Sequence, residues 1–230
     1  MRTKHIFMTI LTLALVVGML QAKTEPVAVV IKARGKVYLV KGNSKKGRPV
    51  KRGQRLLPGE SILTKSKSFV IVKFIDNGGI VRIQSNSFCR FDGKVAKRVL
   101  NKNVFLQVGT IFSKVFKNKG GFRVTTPTSV ASVKGTAFWT KQNFKSSTYY
   151  FGEEGVVEIS NSQGVALLKA GMTGIVASSN SKPIVRKTRP GERPKIEGLS
   201  EKDIDEFDLE FEDANGNIKS LKFKLQKIEK

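Results

Sequence analysis

From Val27 onward, apolar residues recur at every second position in short runs, and turn-forming residues separate the runs. A period of two is the pattern of a half-buried strand, whose successive side chains point to opposite faces. The clearest case is SFVIVKFIDNGG, where Val70, Val72 and Phe74 share a face. Asp76–Gly79 then turns the chain, because Asn and Gly tolerate positive φ. Further strands are predicted at Val27–Ile31, Val37–Val40, Ile80–Ile83, Phe88–Phe91, Val104–Val108, Ile111–Phe116, Phe122–Thr125, Ala137–Lys141, Thr148–Phe151, Val156–Ser160, Val165–Lys169 and Gly174–Ala177. This series predicts an all-β domain, a sandwich or β-roll of short, mainly antiparallel strands. Lysines and arginines tend to alternate with Val, Ile and Phe, so the expectation is basic side chains outward and an apolar core. Spacings are unequal, which argues against a fixed-period solenoid.

The two ends break this pattern. Arg2 and Lys4 precede an apolar run from Ile6 to Leu20, and Ala22 closes it. That is the layout of a secretory signal peptide over residues 1–22, and the run is short for a spanning helix. The β domain is expected over residues 23–180. Residues 181–198 carry Pro183, Pro190 and Pro194 among charges and read as a linker. Residues 199–230 read as one helical turn from Ser200 and then a β-hairpin. Phe207, Leu209 and Phe211 alternate with acids, Leu221, Phe223 and Leu225 alternate with lysines, and Asn215–Gly216 supplies the turn.

Charge changes the picture. Between Lys23 and Pro190 there are 32 basic and 7 acidic residues, whereas Gly191–Lys230 has 8 basic and 11 acidic. Such a field attracts polyanions over about a Debye length, roughly 8 Å in physiological salt. The densest cluster is the loop with Lys45, Lys46, Arg48, Lys51, Arg52 and Arg55. A second comprises Lys114, Lys117, Lys119 and Arg123, interleaved with Phe112, Phe116 and Phe122.

Catalytic chemistry is poorly provided for. The one histidine, His5, lies in the segment expected to be cleaved, so a His-dependent triad or His-ligated metal is excluded from the mature chain. The lone Cys89 can form no internal disulfide. Glu153 and Glu154 are adjacent and would face opposite sides of a strand, and no carboxylate pair converges. No cofactor and no metal are expected.

An ordered set of short motifs resembles the FecR domain family. Gly35–Val37 fits its opening Gly-x-Val. Leu57, Gly59, Glu60, Ile62 and Thr64 fit Leu-x-Gly-(Asp/Glu)-x-Ile-x-Thr. Val124 to Pro127, followed by Val133 to Phe138, is similar to Thr-Pro…Val-Arg-Gly-Thr-x-Phe. The resemblance runs from about Val27 to Ala177. It implies an extracytoplasmic β domain without enzymatic activity. The family's namesake relays signals from an outer-membrane receptor to a sigma factor. Only five residues precede the apolar run here, so a cytoplasmic sigma-binding segment is not expected. The motif residues Thr126, Pro127, Gly135, Thr136 and Phe138 read as architecture. Pro127 would end a strand, Gly135 would take positive φ, and Thr126 and Thr136 would hydrogen-bond turn backbone.

These readings predict an exported, non-enzymatic binding or scaffolding protein of a bacterial cell envelope. The expected partners are an envelope protein or an anionic glycan or lipid. Nucleic acid is not expected in vivo, despite the suitable charge. The competing function is an accessory of transmembrane signalling of the iron-uptake type. Sheet edges and the hairpin leave self-association open.

Overall fold

A computed structural model describes residues 24–42, 44, 47–96, 99–117, 120–195, 206–212 and 218–224. The expected signal peptide, the expected helical turn at Ser200 and the expected turn at Asn215–Gly216 lie outside these residues. In chain order the strands are β1 (Ala28–Arg34), β2 (Val37–Lys41), β3 (Arg48–Pro49), β4 (Arg55–Leu56), β5 (Glu60–Thr64), β6 (Phe69–Phe74), β7 (Gly79–Ile83), β8 (Phe88–Ala96) and β9 (Val99–Val115). They continue with β10 (Phe122–Thr125), β11 (Val130–Val133), β12 (Ala137–Gln142), β13 (Thr148–Glu154), β14 (Val156–Asn161), β15 (Gly164–Lys169), β16 (Met172–Val176) and β17 (Ile184–Lys187). A separate hairpin pairs β18 (Glu206–Glu212) with β19 (Ile218–Lys224).

β1 to β17 form two layers joined by one strand. The first sheet runs β4-β1-β6-β7-β9-β12-β13-β16-β17. The second runs β3-β2-β5-β8-β9-β10-β11-β14-β15. Every ladder is antiparallel except β9 with β10. The barrel is not closed, and each sheet keeps two edges. The all-β, mainly antiparallel architecture is the one the alternation dictates.

One core lies between the layers. Val70, Val72, Phe74, Val81, Ile83 and Phe138 from the first sheet pack with Ile62, Cys89, Phe91, Val104, Phe122 and Val124 from the second. Phe74 reaches across to Phe91, with ring centroids 6.0 Å apart, and meets Phe122 edge-on at 5.6 Å. Each such side chain contributes about 1.5–3 kcal/mol by leaving water. Cys89 is fully buried here, and burial pushes its thiol pKa up. It is therefore expected to react with thiol reagents only as fast as the domain opens. Rapid labelling under native conditions, followed by mass spectrometry, would contradict this packing.

Three features differ from the sequence reading. First, Val104–Val108 and Ile111–Phe116 are halves of one strand, β9. Its inward residues are even-numbered before Gly109 (Leu100, Val104, Leu106) and odd-numbered after it (Ile111, Ser113, Val115). A register shift against β8 produces that break, which alternation alone reads as a boundary. Second, Ile184–Lys187, inside the segment read as a linker, is an edge strand on β16. Third, basic residues do not all face out. Lys102 lies on the inward parity of β9 and is fully buried, and Arg82 is 2% exposed.

Candidate functional site

The basic loop between β3 and β4 crosses an edge of the sandwich. β3 ends the second sheet and β4 ends the first, so residues 50–54 step from one layer to the other. Their backbone is fastened at both sides. Val50 N–H donates to the Val37 carbonyl at 2.9 Å, and Gly53 N–H donates to the Val30 carbonyl at 2.8 Å. In return, Val30 N–H donates to the Gln54 carbonyl at 2.9 Å, and Gln54 N–H closes a turn onto Lys51 at 3.1 Å. Arg48, Lys51, Arg52 and Arg55 are all exposed along this fixed path. Residues 41–55 contain no acid at all. The next acid along the sequence, Glu60, pairs with Lys41 at 3.2 Å. The result is a cationic ridge on a preset backbone. Lys45 and Lys46 lie outside the described residues.

The second cluster does not come together. Lys114 sits on the outer face of the first sheet, opposite Ile80 and Ala137. Arg123 is exposed on the outer face of the second sheet, opposite Asn103 and Ser132. Lys117 lays its stem against Gly135, and Lys119 lies outside the described residues. Of the interleaved aromatics, Phe122 is core and Phe112 meets Trp139 at a tilt, ring centroids 5.0 Å apart. Strand alternation mixed residues in sequence that the sandwich sends to opposite sides.

The Thr-Pro element links the two sheets through buried side-chain hydrogen bonds. Exposed Pro127 falls between β10 and β11 and ends the ladder. Thr126 Oγ1 donates to the Ser129 carbonyl at 3.0 Å and lies 3.0 Å from Thr148 Oγ1 on the other sheet. Ser129 Oγ meets the Tyr150 hydroxyl at 2.9 Å. Thr148 in turn donates to the Gln142 side-chain oxygen. Burial raises the Tyr150 phenol to about 12, so it stays protonated within this network. A fully paired buried network of this kind fixes the approach of the two sheets. Gly135 has φ of +87° and closes on Lys117, as its type suggested. Thr136 differs from expectation. Its hydroxyl has no hydrogen bond among the described residues, and its methyl packs toward Gly155 instead. Phe138 is core.

Sequence reasoning missed one buried ion pair. The Lys102 ammonium is bonded to the Asp76 carboxylate and donates to the Leu100 carbonyl at 3.1 Å. Asp76 also caps its own turn, accepting from Gly78 N–H at 2.9 Å. The signal was present, since Lys102 stands between Leu100 and Val104 on the inward parity. Three further carboxylates are likewise engaged: Glu153 with Arg193 at 2.6 Å, Asp92 with Arg90 at 2.8 Å, and Glu192 with Arg186.

The family model described as FecR protein matches residues 60–158. No curated protein matches the chain. Two crystal structures of a proposed anti-sigma factor from Parabacteroides distasonis, at 1.65 and 2.50 Å resolution, are similar to it. Each is 18% identical with a TM-score of 0.48 over 55% of this chain, and the chain spans 59% of the length of those proteins.

Proposed function

We propose that this chain, whose residues 60–158 match the FecR family model, is an exported binding protein of the cell envelope. It presents the Arg48–Arg55 ridge to a polyanionic surface. The observation that carries this reading is the fastening of the ridge. Four backbone hydrogen bonds hold a loop with four exposed cations at a sandwich edge, so little conformational entropy is lost on contact. Anionic sugars, lipid headgroups and acidic protein faces all offer the matching charge. Export is supported by the basic start and apolar run of residues 1–22.

Action by contact without catalysis is supported by the engagement of Glu60, Asp76, Asp92, Glu153 and Glu192 in ion pairs. Burial of the single cysteine supports it too. A second reading, a signalling accessory, is favoured by the family match itself. Deleting the gene and finding iron-uptake transcription unchanged would remove that reading.

The test of the main proposal is made in the native cell. A photoreactive residue replacing Lys51 is expected to cross-link in the envelope fraction, while one replacing exposed Lys169 gives no such product. Full-length protein in the cytosol, or equal labelling from both positions, would overturn it.

A further inference from the structure

The outer faces of the two sheets are unlike. On the second sheet Arg90, Arg123, Glu158 and Leu167 are exposed, as alternation dictates. On the first, Ile71, Arg82, Phe112, Trp139, Phe151 and Thr173 stand directly opposite one another, forming one row across β6, β7, β9, β12, β13 and β16. These residues are not in the central core, because their chain neighbours Val70, Ile83, Ile111, Phe138 and Tyr150 fill it. Yet Ile71 is 8%, Arg82 2%, Trp139 3% and Phe151 2% exposed. The Arg82 guanidinium lies 4.5 Å over the Phe69 ring, itself buried on the same face. An antiparallel sheet ordinarily leaves one face to solvent, so burial on both faces calls for a covering element.

Residues 188–195 supply part of that cover. Thr188 N–H donates to the Gly171 carbonyl at 3.0 Å. Glu192 is clasped by Arg186, which holds its carboxyl down at about 2, and it also accepts from Arg189 N–H at 3.1 Å. Arg193 pairs with Glu153, whose other oxygen accepts from the Trp139 indole N–H at 3.0 Å. Finally Gln84 Nε2 donates to the Lys195 carbonyl at 2.8 Å. The chain is thereby drawn from the β17 edge across the sheet to the end of β7, two residues from Arg82.

Residues 196–205 then lead to β18. Ten residues can reach at most about 33–36 Å, enough to return anywhere over this face. In the hairpin register Phe207 is opposite Phe223 and Leu209 opposite Leu221, so four large apolar residues fall at register positions of one parity. Glu206 opposite Lys224 and Asp208 opposite Lys222 occupy the other. A two-stranded hairpin alone in water is marginal and needs a surface for its apolar side. The buried face is rimmed by Lys32, Lys73 and Lys141, and β18 brings Glu206, Asp208, Glu210 and Glu212. We infer that the β18–β19 hairpin folds back within its own chain and covers the Ile71–Arg82–Trp139 row, as a strap over the outer face of the first sheet.

The test couples carboxylates to lysines in the full mature chain with a zero-length carbodiimide, and maps the links on monomeric protein by mass spectrometry. The strap predicts links from β18 acids to Lys32, Lys73 or Lys141. It also predicts their loss in a Phe207→Ser, Leu209→Ser, Phe211→Ser variant whose circular dichroism is unchanged. In that variant, acrylamide quenching of Trp139, the one tryptophan, rises severalfold. Links to ridge lysines alone, links between chains in place of those within one, or an unchanged pattern and quenching in the triple variant would each overturn the proposal.

Discussion

Gly109→Ala is expected to cost about 3–5 kcal/mol. Gly109 has φ of +107°, where a side chain is strained. An added Cβ would also stand 2.2 Å from Ser87 Oγ and 2.5 Å from Ser87 Cα, and the latter is backbone that cannot rotate away. Ser87 is itself pinned. Its N–H donates to Thr64 Oγ1 at 3.0 Å, and its hydroxyl accepts from Thr110 N–H at 3.0 Å. Relief would require moving β9 where it passes from one sheet to the other. Against a total stability of about 5–15 kcal/mol, the melting temperature should fall on the order of 10 °C. Gly171→Ala is the control, since Gly171 has φ of +74° with open space around it. It carries the strain without the collision and should lose only about 1 kcal/mol. Equal melting temperatures for the two variants would show that the collision at Ser87 is relieved.

The second large effect is asymmetric. Asp76→Asn removes the charge facing a fully buried ammonium and is expected to destabilise by about 3–5 kcal/mol. Lys102→Met instead removes the buried cation, while Asp76 stays one-quarter exposed and keeps its bond from the Gly78 N–H. It should be near neutral or mildly stabilising. The double variant should recover most of the Asp76→Asn loss, which a double-mutant cycle in urea would read directly. Equal losses for the two single variants would mean that the lysine stem, and not its charge, is what the core requires.

The strands on the solvated second sheet were legible because they alternate. FRVT in β10 and VVEIS in β14 place each polar residue outward. The first sheet was harder to read, since β6 (FVIVKF) is buried on both faces and alternation says nothing of what covers it. Gly109 was visible as a strand-opening glycine, but the shift in parity across it disguised one long strand as two. Two-residue strands such as β3 and β4 carry no periodic signal, so the ridge was legible as a basic loop and not as a bridge between sheet edges. Lys114 and Arg123 were grouped by sequence proximity, and the sandwich places them on opposite faces.

The functional account rests on where the charge sits and not on how much of it there is. Two variants that each remove four cations separate these directly: Arg48→Gln, Lys51→Gln, Arg52→Gln, Arg55→Gln on the ridge, and Lys65→Gln, Lys94→Gln, Lys145→Gln, Lys169→Gln scattered over exposed positions. Binding of the chain from Lys23 onward to a sulfated polysaccharide is measured across a series of salt concentrations, since each released counterion steepens the dependence. The account predicts a collapsed affinity and a flattened salt slope for the ridge variant, with the scattered variant close to the parent. Equal losses in both would contradict it.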